Sequence, residues 1–475
     1  MKKNNLIKIM SIVTAAVLAF SLTACGKTNT DAAGQNAGAV TETASVSDTA
    51  GTAANEEITS TNDSEHAIEV SGETAEYANI KVTKTGDSDL GDEADFYGDN
   101  AAVFATEGAT LTLTDIEVDT NGKHANAVFS YGEGTTVNIS DSVITTSGDC
   151  SGGLMTTGGG TMNAENLDIH TTGNSSAAIR SDRGGGTVNV TGGTYTTDGK
   201  GSPVIYSTAD ITVSDAALVS TASQGVVVEG RNSVTLNNVT LAADNNMKNS
   251  DKSDWYQAVM IYQSMSGDAA EGLATFTMTD GSLTNMNGDV FFVNNTTAAI
   301  TLENVEIVNQ DTDGVFLRAA AAGWGSEGSN GGKVKLTLNN QTLEGDILVD
   351  SVSALNMYLA SGTVYTGAVN EENKGEVYVE IESGSKWVLT GDSYITSLTC
   401  DADSIDLNGH KLYINGTEYS EGTVSSGTAI EMETESSMGA GQQDGMPGDA
   451  PSGDRPQGGP TVKTENRLPD LMVID

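Results

Sequence analysis

The stretch Thr110-Leu-Thr-Leu-Thr-Asp115 recurs along the chain, next as Thr136-Val-Asn-Ile-Ser-Asp141. Further copies begin at Thr161, Thr187, Asp210, Ser233, Thr275 and Ala299. Each copy alternates polar and apolar residues, which is typical of a β-strand with one buried face. Each also ends on a residue type that accepts a left-handed turn conformation, and these residues are Asp115, Asp141, Asn166, Gly192, Asp215, Asn238, Asp280 and Asn304. Their usual spacing of 23 to 26 residues indicates a repeat architecture.

One repeat holds three short strands, marked by Leu111 with Leu113, Ile116 with Val118, and Val128 with Phe129. No helical pattern separates them, and the unit is shorter than the roughly 40 residues of a propeller blade. The Asn and Leu spacing of a leucine-rich repeat is missing. The pattern therefore predicts an all-β fold over residues 65–430. We expect a single-stranded right-handed parallel β-helix, a solenoid with three strands per coil and coils stacked about 4.8 Å apart.

Three excursions enlarge the repeats, at residues 244–256, 263–273 and 319–332. Insertions in solenoids form loops that often lie over the functional face. We expect strands around 68–82 to close one end of the solenoid. Segments around Trp387 and 405–416 should close the other end.

The first residues carry an export signal. Three lysines within the first eight residues precede an apolar stretch at 9–20, which is too short for an ordinary transmembrane helix. Leu22-Thr-Ala-Cys25 resembles the lipobox of bacterial lipoproteins. It implies a lipoprotein signal peptide over residues 1–24, lipidation of Cys25, and a membrane-anchored, surface-exposed protein of the cell envelope. The alternative is ordinary secretory cleavage near Ala24, and both outcomes export the protein.

The composition changes on either side of the repeats. Residues 25–64 are small and polar, and residues 431–475 contain five of the six prolines together with Gly and acidic residues. We expect a disordered tether and a disordered tail. The net charge of −43 argues against a nucleic-acid partner, because such partners require a basic surface.

Cys150 and Cys400 lie many repeats apart, so we expect two unpaired thiols. No Cys or His spacing in the sequence indicates a zinc site. The histidines His66, His124 and His170 lie in different segments, which favours surface or turn roles. No cofactor is required by the sequence, although the recurring Asp and Asn turn residues suit an optional Ca²⁺ ion.

Two stretches carry a family resemblance, Ala177-Ala-Ile-Arg-Ser-Asp-Arg-Gly-Gly-Gly186 and Gly201-Ser-Pro-Val-Ile-Tyr-Ser-Thr208, together with the segments around Trp387 and Asn408. With them, residues 65–430 resemble the pectate-lyase-like β-helix superfamily. Within it they are most similar to bacterial surface proteins of the adhesin or autotransporter-passenger type. The resemblance implies the fold and leaves the function open, because this fold hosts lyases, hydrolases, adhesins and binding modules.

The motifs of the family's enzymes are largely missing. Asp311-Thr-Asp-Gly314 is similar to one polygalacturonase motif, but the Gly-His-Gly and Arg-Ile-Lys motifs of those hydrolases are absent from the sequence. We interpret Asp311 and Asp313 as a solvated turn. No catalytic residue or metal ligand is assigned from the sequence.

The candidate binding residues come from aligning successive repeats. Arg180 and Tyr206 share one position of the third strand, and Glu229 falls one position further in the next repeat. Asp182, Arg183 and Arg231 follow in the turns just beyond these strands. If these side chains face outward, they form a patch of cations, carboxylates and an aromatic ring, which is suited to sugars. The alternative is that Arg180 and Arg183 only neutralise neighbouring acids.

The expected function is non-catalytic adhesion or carbohydrate binding, to a host glycan or a cell-wall polymer. One alternative is a polysaccharide lyase or glycoside hydrolase that acts on an acidic polysaccharide, with Arg180, Arg183 and Glu229 as its first candidate residues. A second alternative is a structural surface spacer. A concave groove around Arg180, Tyr206 and Glu229 would indicate a ligand site, whereas a flat face would favour adhesion or spacing.

Overall fold

The strands form an all-β array in the computed structural model, which describes residues 56–432. The expected signal peptide, Cys25 and the tail after residue 432 lie outside the described residues. The first strands are β1 Glu56–Ser60, β2 Ile68–Ser71, β3 Thr74–Ala78 and β4 Ile80–Lys84, followed by the helix α1 Asp92–Tyr97. Next come β5 Val103–Thr106, β6 Thr110–Thr114, β7 Glu117–Thr120, β8 Val128–Tyr131, β9 Thr136–Ser140, β10 Val143–Thr146, β11 Leu154–Thr157, β12 Gly160–Glu165 and β13 Asp168–Thr171.

The middle of the chain continues the same rhythm with longer strands. Its members are β14 Ile179–Ser181, β15 Gly186–Thr191, β16 Thr194–Thr197, β17 Ile205–Ser207, β18 Asp210–Ser214, β19 Ala217–Ser220, β20 Val226–Glu229, β21 Ser233–Ala243, β22 Gln257–Tyr262, β23 Leu273–Asn285, β24 Asp289–Asn294, β25 Thr296–Glu303, β26 Glu306–Asn309 and β27 Val315–Ala319. The last strands are β28 Gly332–Asn339, β29 Thr342–Glu344, β30 Asp346–Val349, β31 Ala354–Ala360, β32 Val364–Thr366, β33 Glu376–Ile381, β34 Lys386–Val388, β35 Ser393–Ile395, β36 Ser397–Thr399, β37 Ile405–Asp406, β38 Leu412–Ile414 and β39 Thr417–Glu418.

Parallel ladders connect these strands, and in the first half of the chain each strand pairs with the third strand after it. The first ladder runs through β3, β6, β9, β12, β15, β18 and β21, and the second through β1, β4, β7, β10, β13, β16 and β19. They merge where the long strands β21 and β23 pair within both. The third ladder contains β2, β5, β8, β11, β14, β17, β20, β22, β24, β27 and β30. This arrangement is solenoid-like and consistent with a β-helix.

The alternating pattern places one apolar side chain above another along the ladders. In the first ladder one such column is Leu111, Val137, Met162, Val188, Ile211, Val234, Phe276, Ile300, Leu336, Met357, Val379 and Leu398. All of these side chains are buried in one continuous core. Full burial of an aliphatic side chain contributes about 1.5–3 kcal/mol, so the columns supply most of the cohesion between coils.

The turn residues that end each repeat adopt the predicted left-handed conformation. Their φ angles are positive at all eight positions, from 51° at Asp141 to 70° at Gly192. Neighbouring turns are also linked, because Asn166 donates from Nδ2 to Asp141 Oδ1 at 2.7 Å and Asn238 donates to Asp215 Oδ1 at 2.7 Å. The short amide side chain therefore both accepts the turn conformation and ties one coil to the next.

The three predicted excursions leave the array between strands. They connect β21 to β22, β22 to β23, and β27 to β28. Helix α1 forms a further excursion between β4 and β5 that the sequence pattern did not indicate. It is the sole α-helix of residues 56–432 and has six residues. Within that range no helix combines the length and apolar character needed to cross a bilayer.

The array begins earlier in the chain than the sequence suggested. Strand β1 lies inside the segment that composition indicates as tether, and it pairs in parallel with β4. Its single aliphatic residue, Ile58, packs partly buried against the core. Backbone pairing to β4 therefore orders a segment whose side chains bury little surface.

Strand direction changes at the far end of the array. Strand β38 pairs antiparallel with β39, and Cys400 forms an antiparallel bridge with Ser425. Gly427 then donates its N–H to Thr399 Oγ1 at 3.0 Å, and Thr428 donates to Ser397 Oγ at 2.9 Å. The segment 425–430 thus lies along the side chains of β36. This strand pairs with β33 and is the last one in the sheet formed by the merged first and second ladders. Trp387 is completely buried in this closing region.

Candidate ligand-binding cleft

The third ladder carries a second row of side chains that faces away from the main core. Register aligns Phe104, Phe129, Met155, Arg180, Tyr206, Val227, Met260, Phe292 and Arg318 in this outer row. The row is mostly apolar, and two covers shield it from solvent. The turn that ends α1 packs over Phe104 and Phe129 at one end. Trp255 and Trp324, from two of the excursions, cover Met260 and Phe292 at the other.

Arg180 and Tyr206 lie side by side in the gap between the two covers, in the register that the repeat alignment predicts. Arg180 Nη1 lies 3.2 Å from Oδ2 of Asp95 on α1, and Nη2 lies 2.8 Å from Oδ2 of Asp182. The Asp95 side chain is only 2% exposed. Arg180 therefore serves two buried carboxylates at once and joins α1 to the ladder.

Burial and charge act in opposite directions on these carboxyl groups. Burial acts to raise the pKa of Asp95, but Arg180 and His124 outweigh it and hold that pKa below its ordinary value. Burial raises the pKa of Asp182, and Arg180 offsets this only in part. Although burial disfavours its charge, the two carboxylates raise the pKa of Arg180 itself. The pKa values of the two acids are thus shifted in opposite directions around one permanent cation.

Glu229 lies on the same outer face of the third ladder, two residues after Val227 of the outer row. Its register partner is Tyr262, whereas Tyr206 pairs with Val227. Glu229 is therefore two positions beyond the Tyr206 column rather than one as expected, which returns its side chain to the same face. Its Oε2 accepts hydrogen bonds from both tyrosine hydroxyls, at 3.1 Å from Tyr262, and Oε1 accepts one from the N–H of Ser264 at 3.3 Å. The carboxylate is 2% exposed and has its partners within the protein.

The other two predicted arginines diverge. Arg183 donates from Nε and Nη2 to Asp268 Oδ1 at 3.0 and 2.8 Å, and its guanidinium lies 4.0 Å from the centre of the Phe96 ring. It thereby connects the 263–273 excursion to α1. Arg231 is exposed, and its backbone N–H donates to Ala270 on the outer side of that excursion. The structure therefore brings together four of the six predicted residues, Arg180, Asp182, Tyr206 and Glu229. The side chains of Arg183 and Arg231 do not line the cleft.

A cleft opens above this group, formed by two adjoining cavities of about 130 and 230 Å³. The two share Gly201, Pro203, Tyr206 and Asn249. The first is also lined by Trp255, Trp324, Tyr256, Met260, Asn245 and Gln257. The second is also lined by Asp92, Phe96, Ser175, Arg180, Asp182 and Asp268. Each cavity alone is smaller than a typical small-ligand site of roughly 300–1,000 Å³, and only the two together approach the lower end of that range. All three excursions and α1 supply the walls, so the surface here is concave.

Three metal-ligating side chains meet behind Arg180. One donor atom from each of Asp95, His124 and Cys150 lies within 4.8 Å of the other two. His124 and Cys150 occupy equivalent left-handed turn positions on adjacent coils, with φ angles of 58° and 57°. The turn placement of His124 was expected, but the surface role was wrong, because the residue is 2% exposed. Cys150 and Cys400 are both free thiols, as predicted.

Sequence reasoning missed Asp95, the two tryptophans and the pairing of His124 with Cys150. One signal for the last was present. The repeats contain Gly122-Lys-His124, Gly148-Asp-Cys150, Gly173-Asn-Ser175 and Gly199-Lys-Gly201 at the same place before the third strand. Aligning these turns stacks the histidine directly beside the cysteine. The optional Ca²⁺ at the other turn columns stays a prediction, since those carboxylates bond the neighbouring asparagines.

Comparison with known proteins adds no assignment. No protein-family model, no curated protein and no solved structure matches this chain. The fold and the cleft define an all-β, solenoid-like protein with a ligand-sized groove on the outer face of one parallel ladder.

Proposed function

We propose that the protein is a surface-anchored, non-catalytic lipoprotein that binds a glycan or cell-wall polymer in this cleft. In this proposal the chain folds as a right-handed parallel β-helix of the pectate-lyase-like type, with a signal peptide over residues 1–24 and a lipid on Cys25. The lipid fixes the chain to the membrane, and the array carries the cleft.

The composition of the cleft is the observation that carries the proposal. Trp255, Trp324 and Tyr206 are half-buried, so each keeps part of its surface open to the groove. Amide groups of Asn245, Asn249 and Gln257 lie among them. Sugars present apolar ring faces and many hydroxyl groups, and a site with flat aromatic surfaces and amide hydrogen-bonding groups matches both.

The shape of the cleft favours a chain over a single small molecule. The two cavities are continuous through Tyr206 and reach from the Arg180 coil to the Met260 coil. These coils are three strand steps apart in the third ladder, and each step is about 4.8 Å, so the floor extends about 14 Å. An open groove of this length accepts several units of a polymer.

A second candidate, cleavage of a polysaccharide, is favoured by Asp182. Burial raises the pKa of its carboxyl, which is the direction that a proton donor requires. Asp92 and Asp268 line the same cavity and would offer a second carboxylate. Arg180, however, already bonds the Asp182 carboxylate, so we place binding before catalysis.

The test is a glycan-array measurement on the intact protein with Trp255→Ala and Trp324→Ala variants. Losing an aromatic anchor at the centre of a site costs over 1 kcal/mol, so binding should weaken about tenfold. Tyr394→Ala is the matched control, because Tyr394 stacks on Tyr413 in the closing region, far from the cleft. Trp255→Phe should retain part of the affinity.

The remaining outcomes of this experiment would either indicate catalysis or refute the proposal. The same samples are assayed for new reducing or unsaturated chain ends, and their appearance would replace binding by catalysis. Absence of binding to every glycan, or equal loss in Tyr394→Ala, would refute the proposal. Cys25→Ser tests the anchor separately, since it should move the protein from the membrane fraction to the soluble fraction.

A further inference from the structure

We propose that Asp95, His124 and Cys150 form a binding site for a divalent transition-metal ion, with Zn²⁺ as the preferred ion. The three side chains come from α1 and from two adjacent coils, so the folded array assembles them from distant parts of the sequence. This inference is independent of glycan binding, because none of the three residues lines the cavities of the cleft.

The geometry suits a tetrahedral ion. His124 Nδ1 and Asp95 Oδ1 are 3.2 Å apart. Two ligand atoms that each lie about 2.0–2.1 Å from a tetrahedral ion are separated by about 3.3 Å. Cys150 offers its Sγ within 4.8 Å of one donor atom on each of the other two residues, and movement of this side chain toward the ion would bring it to the Zn–S bond length of about 2.3 Å.

An unsatisfied ring nitrogen provides an independent indication. His124 is 2% exposed, and its Nδ1 has no aligned hydrogen-bond partner in the described part of the chain despite the nearby carboxylate. Leaving a buried polar atom without a partner destabilises the folded state. An ion held between this nitrogen, the Asp95 oxygen and the Cys150 sulfur would remove that cost.

The surroundings can hold the added charge. The Arg180 guanidinium bonds Oδ2 of Asp95, which leaves Oδ1 directed at the histidine. Asn126 also donates to Asp95 Oδ1 at 3.0 Å and fixes its orientation. Such outer contacts are the usual support of metal ligands. With the Cys150 thiol deprotonated by the metal, the thiolate and the Asp95 carboxylate both present negative charge to the ion, so a dication is favoured.

The donor set selects the ion. Thiolate and imidazole ligands favour Zn²⁺ and related ions over Ca²⁺ or Mg²⁺, which prefer oxygen. Three protein ligands leave one tetrahedral position for water or a ligand atom, as in zinc sites that keep an open position. Ser175 occupies the next turn of the same column and lines the cleft, so the metal would lie one coil from it.

The experiment uses the full chain with Cys25→Ser and Cys400→Ser, which leaves Cys150 as its single thiol. Titration with Co²⁺ should produce a thiolate-to-cobalt charge-transfer band that saturates at one ion per chain and is displaced by Zn²⁺. Adding Cys150→Ser should abolish the band. His124→Asn should weaken Zn²⁺ binding at least about tenfold, since even changes beyond the ligands cost 10–100-fold.

His170→Asn is the matched control, because His170 is half-exposed on the second ladder and bonds Asp198. It should leave both the band and the affinity unchanged. A second readout needs no variant at the site: Zn²⁺ should protect Cys150 from a thiol-specific reagent, and a chelator should restore its reactivity. No saturable band, a band that survives Cys150→Ser, or equal thiol reactivity with and without Zn²⁺ would overturn the proposal.

Discussion

Replacing Arg180 by Met tests the buried ion cluster that attaches α1 to the third ladder. The substitution keeps an unbranched stem of similar length and removes the guanidinium charge that Asp95 and Asp182 share. Both acids then remain buried without a cation, at 2% and 8% side-chain exposure. Breaking a buried pair in this way costs about 3–5 kcal/mol. The free energy of unfolding should fall by that amount in urea denaturation, with faster hydrogen exchange in residues 92–97.

Arg183→Met is the matched control. Its ion pair with Asp268 is half-exposed on the arginine side, so that variant should lose only about 1 kcal/mol. The two substituted positions are three residues apart, and both variants replace an arginine by methionine. A loss for Arg180→Met no larger than that for Arg183→Met would refute the reasoning.

The same comparison has a defined pH dependence. The folded-state pKa of Asp95 lies below its ordinary value of about 3.9, so its stabilising contribution is present above that pH. The contribution is lost as the pH falls through the folded-state value. In Arg180→Met this contribution is absent, so the gap between the two proteins should be widest near neutral pH and narrow below about pH 4. A gap that does not change with pH would contradict the assignment.

Three other predictions concern the array. Leu236→Ala should lower the free energy of unfolding by about 2–5 kcal/mol, because this side chain is fully buried. Thr235→Ala on the outer face should change it by about 0.5 kcal/mol or less. Urea denaturation measures both effects. Asn238, with a φ angle of 52°, should tolerate Gly better than Ala by about 1–2 kcal/mol in the same assay. Burial raises the pKa of Tyr419 to about 12, so its stabilising contribution should be lost as the pH rises from about 10 through 12. An alkaline absorbance titration should show one tyrosine fewer near pH 12 in Tyr419→Phe, and a difference centred near pH 10 would contradict this.

The strand repeat was predictable because it depends on local rules. Period-two alternation decides which side chains enter the core, and Asp, Asn or Gly at the turn decides where the chain bends. Both rules operate within one repeat, and the stacking of repeats then follows. Arg180 and Tyr206 were placed side by side for the same reason, since register in a parallel ladder is copied from coil to coil.

The contacts around Arg180 were not predictable in this way. Asp95 reaches it from a six-residue helix 85 positions earlier in the chain, and nothing in the repeat pattern encodes that approach. The outer row of the third ladder is apolar like the inner row, so the sequence could not tell which face was covered. Whether a side chain of the outer row is exposed depends on where the excursions pack. The excursions do not repeat, so their positions cannot be inferred from the neighbouring coils. The Glu229 error had a simpler source: the connection from β19 to β20, residues 221–225, is two residues shorter than the equivalent connection from β16 to β17, residues 198–204.

The antiparallel closing region also governs how one molecule meets another. A parallel ladder that ended on an open strand would present unpaired N–H and C=O groups in the same direction as every strand before it, which is a template for an identical chain to add on. Here the segment 425–430 lies along β36, and the two-residue strand β39 runs against β38. A second copy would encounter reversed polarity and a short, exposed edge. The antiparallel closing region therefore disfavours end-to-end polymerisation of the protein into filaments.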